Sequence, residues 1–368
     1  MVPEDVLLEM ARPMEHHRTG IYKEWVKQSH ELLQYLFQTK AMVVTITGSG
    51  TAAAEAAIVG CCTKGHKALV VDNGKFAERW VKVCATFGIE HTRLPIEWGR
   101  GARAADIQKA LDADKAIDTV ICVHSETSTT ALSDIAGIGK LTRERGAILI
   151  VDGITAVGAI PVKMDDWGVD CYITGSQKAL MLPPGLAFVA VSDRAWERIE
   201  SGKAPILYND LKAYKKSLLE WDVPYTPAVS LVRGLLYVLR GVKERGLENI
   251  WKETTLLANA TRAATIALGL KVYPADPVDS VTAMLVPQGV DESKLRKTMR
   301  EKYGFQIAGG QGELKGKIIR LSHMGYVDAF DTIAVLAALE MTLAGQGYKF
   351  APGAGVSAAT KVFTDSMK

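Results

Sequence analysis

The sequence predicts an α/β protein: a large, mostly parallel sheet flanked by helices, then a smaller C-terminal α+β domain. Three observations predict it. Short apolar runs alternate with helical patterns from residue 41 to residue 152, the rhythm of βαβ units and of a parallel sheet covered on both faces. The alternation weakens after residue 192, where a long helical tract follows. Beyond the tract a β-α-β-α pattern returns. At 368 residues, 48 % hydrophobic and 23 % charged, the chain is long enough for two domains around two cores.

In order along the chain, residues 1–20 are an N-terminal segment, and the stretch EWVKQSHELLQYLF (24–37) has apolar residues three and four apart, which predicts an amphipathic helix opening the ordered part. Strands are predicted at AMVVTIT (41–47), KALVVD (67–72), DTVICVH (118–124) and AILIVD (147–152), with helices from Thr51, from Lys75 and from about Ile135 between them. Two short apolar runs flank Lys178 in CYITGSQKALMLPPGLAFVAV (171–191). The helical tract from about Leu231 to Leu268 carries glycines near its middle and is expected to break or bend there. Then SVTAMLVP, DESKLRKTMREKYG, KIIRLSH and DAFDTIAVLAALEMTLAG give the smaller domain. The expected division is 21–245, 246–346 and a weakly patterned, partly ordered tail at 347–368.

Composition narrows the function. The net charge of +3, from 44 basic and 41 acidic residues scattered through the chain, gives no field of the kind that binds nucleic acid. Five cysteines form an odd set without CxxC spacing, so a reduced cytoplasm is expected and no metal site. The start MVPEDVLLEMARP has no basic region followed by an apolar core, and no apolar run approaches the roughly 20 residues that cross a bilayer. A soluble, unexported protein is expected.

Three strand ends carry polar groups that packing does not require. In TITGSGTAAAEAA a strand passes through Gly48, Ser49, Gly50 and Thr51 into a helix, whose first N–H groups and positive dipole end suit a phosphate. Asp152 ends an apolar strand, where a buried charge is costly without a cationic partner. Lys178 follows another such strand and a Gly-Ser-Gln turn, and precedes a Pro-Pro-Gly breaker. A phosphate nest, a carboxylate and a lysine on one sheet edge match the needs of pyridoxal phosphate: the neutral amine attacks its aldehyde and the carboxylate keeps its pyridine nitrogen protonated. Phe76, just past another strand end, is the candidate to stack on its ring.

Taken singly, each feature has a plainer reading as a turn, a helix cap or core. GSGTAA also satisfies a dinucleotide-binding fingerprint, with Gly48, Gly50 and Ala53 on a pyrophosphate and Asp72, 22 residues after Gly50, on a ribose. That alternative leaves Asp152 and Lys178 without a purpose.

With these residues assembled, the sequence resembles the class V, fold type I pyridoxal phosphate aminotransferases, most closely the alanine-glyoxylate and serine-glyoxylate group. The likeness covers most of the chain and rests on TGSGTAAAEAA, DNGKFAERW, VHSETSTTAL, LIVDGITAVGAIPVKMDDWGVD, TGSQKALMLPPGLAFVAVS and IIRLSHMG, in the family's order. The resemblance implies Lys178 as the Schiff-base lysine, Asp152 as partner of the pyridine nitrogen, and Gln177 with Ser49, Gly50 and Thr51 at the phosphate. It implies Phe76 as the stacking aromatic, Ser128 on the polar edge of cofactor or substrate, and Arg320 on the substrate α-carboxylate. It further implies a homodimer, with Tyr225 and Thr226 closing the neighbour's phosphate site, and transfer of an amino group from a small amino acid such as alanine or serine to a 2-oxo acid.

Two histidines near these motifs, His124 and His323, are read as structural, His124 through bonds within the HSETST turn. The sequence departs from the family's pattern by opening at MVPEDV without a Gly-Pro-rich segment, and by Thr130 where many relatives have glycine. Within the same fold a lyase or desulfurase is the alternative, disfavoured because no loop cysteine is evident. A protein that keeps the fold only to bind a partner, such as a redox enzyme, is the other.

Overall fold

The computed structural model describes residues 1–367. Its main sheet contains β1 (Met42–Gly48), β2 (Lys67–Asp72), β3 (Glu90–Pro95) and β4 (Ile117–Val123). After a small hairpin, β5 (Ser125–Glu126) with β6 (Ala131–Leu132), it continues with β7 (Ile148–Asp152), β8 (Cys171–Gly175) and β9 (Gly185–Val191). The order across the sheet is β1-β9-β8-β7-β4-β2-β3. All neighbours are parallel except β9, which runs against both β1 and β8.

Both faces are covered, and the strand residues alternate between two cores. Val120, Cys122, Leu149 and Val151 pack with the helices Gly20–Phe37 and Val229–Arg245, while Ile121, Val123, Ile150 and Ile173 pack with Gly50–Cys61 and Ala77–Thr86. The helix Gly50–Cys61 meets the sheet through small side chains, Ala53, Ala54, Ala56 and Ala57, all buried. Its N-terminus is thereby held against the strand ends.

A second sheet, antiparallel and ordered β10 (Val281–Leu285), β12 (Ile318–Ser322), β11 (Ala308–Gly309), lies with four helices around a separate core containing Leu257, Met284, Leu295, Leu336 and Phe363. The α/β class with a large, mostly parallel sheet is therefore present.

Several expectations are corrected. The polar strand β3, EHTRLP, is not foreseen, because an edge strand half open to water lacks the apolar run that marks its neighbours. Order begins before residue 24: the helix Glu4–Met10 buries Val6 and packs on Val229–Arg245, whose Gly234 leaves room for Met10. The long tract does break near its middle as expected, into the two helices Val229–Arg245 and Leu247–Ala267, separated at Gly246 with φ +80° and ψ 138°. The tail is a helix, Ala354–Ser366, packed on Leu247–Ala267 through Ala359 and Phe363. Glu340 accepts from the N–H groups of Gly353 and Val356 at its start, where the helix dipole favours a carboxylate.

The dinucleotide reading fails on topology. A Rossmann unit needs its first two strands side by side, whereas β1 is an edge strand separated from β2 by β9, β8, β7 and β4. Asp72 is instead ion-paired with Arg93 of β3.

Candidate active site

The carboxyl ends of β7 and β8, adjacent and parallel, deliver Asp152 and the turn bearing Lys178 to one edge of the sheet. Asp152 is 4 % exposed, and its Oδ1 accepts from the Ile154 N–H at 2.9 Å. Burial pushes its carboxyl up to about 7, Glu126 adds to the rise, and Arg79 and Lys178 oppose it. Burial draws the half-buried Lys178 amine below its ordinary range, with Arg320 and Arg79 acting in the same sense and Asp152 against. The two groups thus sense each other's charge.

The phosphate nest lies beside them. Ser49 caps the helix Gly50–Cys61 in extended conformation, but its side chain makes no capping bond; the Ala52 N–H donates to the Ser49 carbonyl at 2.8 Å, which leaves the N–H groups of Gly50 and Thr51 without an intrahelical acceptor. A methyl group placed on Gly175 would stand 3.0 Å from Gln177 Oε1 and 3.5 Å from Gly50 N. Gln177 Oε1 is itself buried without a partner.

A residue absent from the sequence expectations links this nest to the ring site. Arg79 Nη1 donates to Thr51 Oγ1 at 3.1 Å, and its guanidinium lies 5.2 Å from the centre of the Phe76 ring. Only its position three residues after Phe76, on the helix Ala77–Thr86, signals it in the sequence.

A cleft of about 860 Å³ opens between the two sheets, lined among others by Thr127, Gln177, Lys178 and Arg320. Arg320, on β12, is 7 % exposed. Its Nε and Nη2 donate to the Gly309 carbonyl at 3.1 and 2.8 Å, and its Nη1 to the Thr127 carbonyl. Burial lowers its pKa, partly offset by the charge of Glu126.

Ser128 is not on that wall. It is fully buried, donating its hydroxyl to Glu126 and accepting from Lys75 N. The half-buried Thr127 faces the cleft instead. Which side chain of HSETST turns inward depends on the hairpin β5–β6, and residue type does not reveal it.

Tyr225 and Thr226 lie apart from Lys178. Tyr225 stacks on Tyr208 with ring centres 5.0 Å apart and donates to the Leu207 carbonyl, while Thr226 is exposed. They line a cavity with Tyr22, His30 and Tyr214 rather than the Lys178 cleft.

His124 is structural in a different manner from that expected: its Nδ1 bonds the Tyr172 hydroxyl at 2.6 Å rather than the HSETST turn. Burial lowers it to about 3. His323 is buried against Thr282 Oγ1 at 2.9 Å and is likewise lowered to about 3, by burial first. Thr130 adopts φ +57°, the left-handed region that favours glycine.

The residues present suit pyridoxal phosphate: free N–H groups at a helix N-terminus for a phosphate, a buried carboxyl that lacks a cationic partner at contact, and an amine biased toward neutrality. All five cysteines are buried and none lines the cleft, so nothing here resembles a desulfurase nucleophile.

The chain matches the aminotransferase class-V family over residues 8–322. It is 40 % identical over 369 residues to a protein named soluble hydrogenase, small subunit, of a Synechococcus species, covering 99 % of this chain and 96 % of that one. It is 35 % identical to the serine–glyoxylate aminotransferase of Methylorubrum extorquens, covering 99 % and 94 %. The crystal structure of ureidoglycine-glyoxylate aminotransferase from Bacillus subtilis superposes with a TM-score of 0.94 at 28 % identity, covering 99 % of this chain and 95 % of that one. With the fold and strand-end groups described above, these likenesses establish that the chain belongs to the class V aminotransferases.

Proposed function

We propose that the protein is a pyridoxal phosphate-dependent transaminase that moves an amino group from a small neutral amino acid, alanine or serine, to a 2-oxo acid such as glyoxylate or pyruvate. The observation that carries this reading is the convergence of Asp152 and Lys178 at the ends of adjacent strands β7 and β8. Glyoxylate as acceptor is supported by the names of the Methylorubrum and Bacillus relatives.

When bound, pyridoxal phosphate supplies an electron sink that acidifies the substrate Cα–H and carries the amino group between two half-reactions. The chain's own residues do the rest. Asp152 holds a proton on the pyridine nitrogen through its buried carboxylate. Lys178, kept toward the neutral form by burial, anchors the cofactor at rest and takes and returns the Cα proton during turnover, which requires a pKa near the working pH. Gly50, Thr51, Ser49 and Gln177 bind the phosphate, with Arg79 adding positive charge at that end. Phe76 stacks on the ring face. Arg320, fixed by two carbonyls, presents its remaining N–H groups to the α-carboxylate, for which guanidinium geometry is suited. Thr127 takes the polar-edge role first assigned to Ser128.

Tyr225 and Thr226 of a second copy close the phosphate site in a homodimer. The chain is read as two domains, 21–245 and 246–346, with the C-terminal helix joined to the second, and as cytoplasmic. Among the described residues, no helix is long and apolar enough to cross a membrane.

The test is a donor screen. Protein loaded with pyridoxal phosphate is given single amino acids and glyoxylate, and glycine formation is measured. Alanine or serine is expected to be a donor; absence of transfer from every amino acid and 2-oxo acid pair would overturn the reading.

A further inference from the structure

We propose that Glu126 is a positioning residue that ties the ring-stacking aromatic and the carboxylate-binding arginine to a single buried charge. The inference rests on the transaminase reading above, and it concerns a residue that neither the strand-end pattern nor the cleft wall singles out.

The Glu126 side chain is fully buried. Its Oε2 accepts from Phe76 N at 3.2 Å and Ala77 N at 3.0 Å, and its Oε1 from Ser128 N at 3.0 Å and Ser128 Oγ at 2.5 Å. Every partner is a donor, so the group is used purely as an acceptor, the role of an ionised carboxylate; burial raises its pKa, and these hydrogen bonds oppose the rise. Its charge is met by the first N–H groups of the helix Ala77–Thr86, where the dipole is positive.

Local geometry is built around this contact. A Cβ on Gly74 would fall 2.4 Å from Glu126 Cγ, 2.6 Å from its Cδ and 2.7 Å from Ser128 Oγ. Only glycine lets the chain pass so close. Ser128 Oγ accepts in turn from Lys75 N at 2.8 Å, so the backbone N–H groups of Lys75, Phe76 and Ala77 are laced to the side chains of Glu126 and Ser128, which are themselves joined to each other.

Both ends of that lacing reach the site. Phe76 is the residue placed on the cofactor ring, and its backbone hangs directly from Glu126. On the other side, the carbonyl of Thr127, between the two laced residues, holds Arg320 Nη1. A shift of the Glu126 turn therefore moves the ring support and the substrate anchor together. Misplacement by a fraction of the site's width is enough to cost orders of magnitude in such arrangements.

The experiment compares holoenzymes of wild type, Glu126→Gln, Arg320→Lys and Phe76→Leu by steady-state kinetics and by visible circular dichroism of the bound cofactor. Glu126→Gln keeps the size but turns an amide NH2 toward N–H donors. It is expected to raise KM for the amino acid roughly tenfold with a smaller change in kcat, and to diminish the cofactor dichroism. Arg320→Lys should move KM alone and Phe76→Leu the dichroism alone. An active wild type with a Glu126→Gln variant unchanged in both readouts overturns the inference; a wild type without transaminase activity overturns the underlying reading instead. If Glu126→Gln fails to fold, Ser128→Ala serves, with the same two shifts expected at severalfold and their absence equally decisive.

Discussion

Arg320 donates through Nε and Nη2 to the carbonyl oxygen of Gly309, at 3.1 and 2.8 Å. With Nη1 on the Thr127 carbonyl, the guanidinium is fixed before any substrate arrives. Arg320→Ala removes a charge-assisted contact of about 1.5–3 kcal/mol, so KM for the amino donor is expected to rise roughly ten- to a hundredfold with kcat less affected. Steady-state kinetics check it, and an unchanged KM would argue against the carboxylate role.

Asp152 makes cofactor-free stability depend on pH. Burial raises its carboxyl from 3.8 to about 7, so the fold favours the protonated form. That contribution is complete below about pH 4 and is lost as the pH rises through about 7, amounting to up to about 4 kcal/mol. Asp152→Asn removes the loss. Chemical denaturation of cofactor-free protein should show the variant gaining on wild type between about pH 5 and about pH 8; a constant difference contradicts the burial account.

Thr130 is fully buried at φ +57°, with its hydroxyl lacking a partner. A β-branched residue is strained in this region. Thr130→Gly is expected to stabilise the protein by about 1 kcal/mol, read as a higher Tm of the cofactor-free form. A lower Tm would show that the side chain's packing outweighs the strain.

The C-terminal helix is a structural member rather than an appendage. Phe363 is 5 % exposed in the core beside Leu257 and Leu336. Phe363→Ala is expected to cost about 3 kcal/mol, measured by denaturant unfolding; a change near zero would mean that the helix is not docked in solution.

The apolar strands β1, β2, β4 and β7 are legible in the sequence because strands buried on both faces must be apolar throughout. Asp152 and Lys178 are legible for the converse reason, since each interrupts such a run where packing supplies no motive. The edge strand β3 has no such signature. The helix Ala354–Ser366 buries only Gly355, Ala359 and Phe363, a four-residue spacing carried mostly by small side chains, and so reads as weak pattern. Glu126 and Arg79 act on groups about 50 and 28 residues away in sequence, and only the sheet order brings those segments together. That Thr127 rather than Ser128 lines the cleft depends on the hairpin β5–β6 around them, which residue type does not reveal.

The most direct measurement is the visible absorbance of purified protein titrated with pyridoxal phosphate, for wild type and Lys178→Ala. Wild type should develop a yellow band that borohydride reduction fixes covalently at residue 178, while Lys178→Ala should show neither the band nor turnover. Full turnover by Lys178→Ala, or covalent fixation at another lysine, would contradict the assignment.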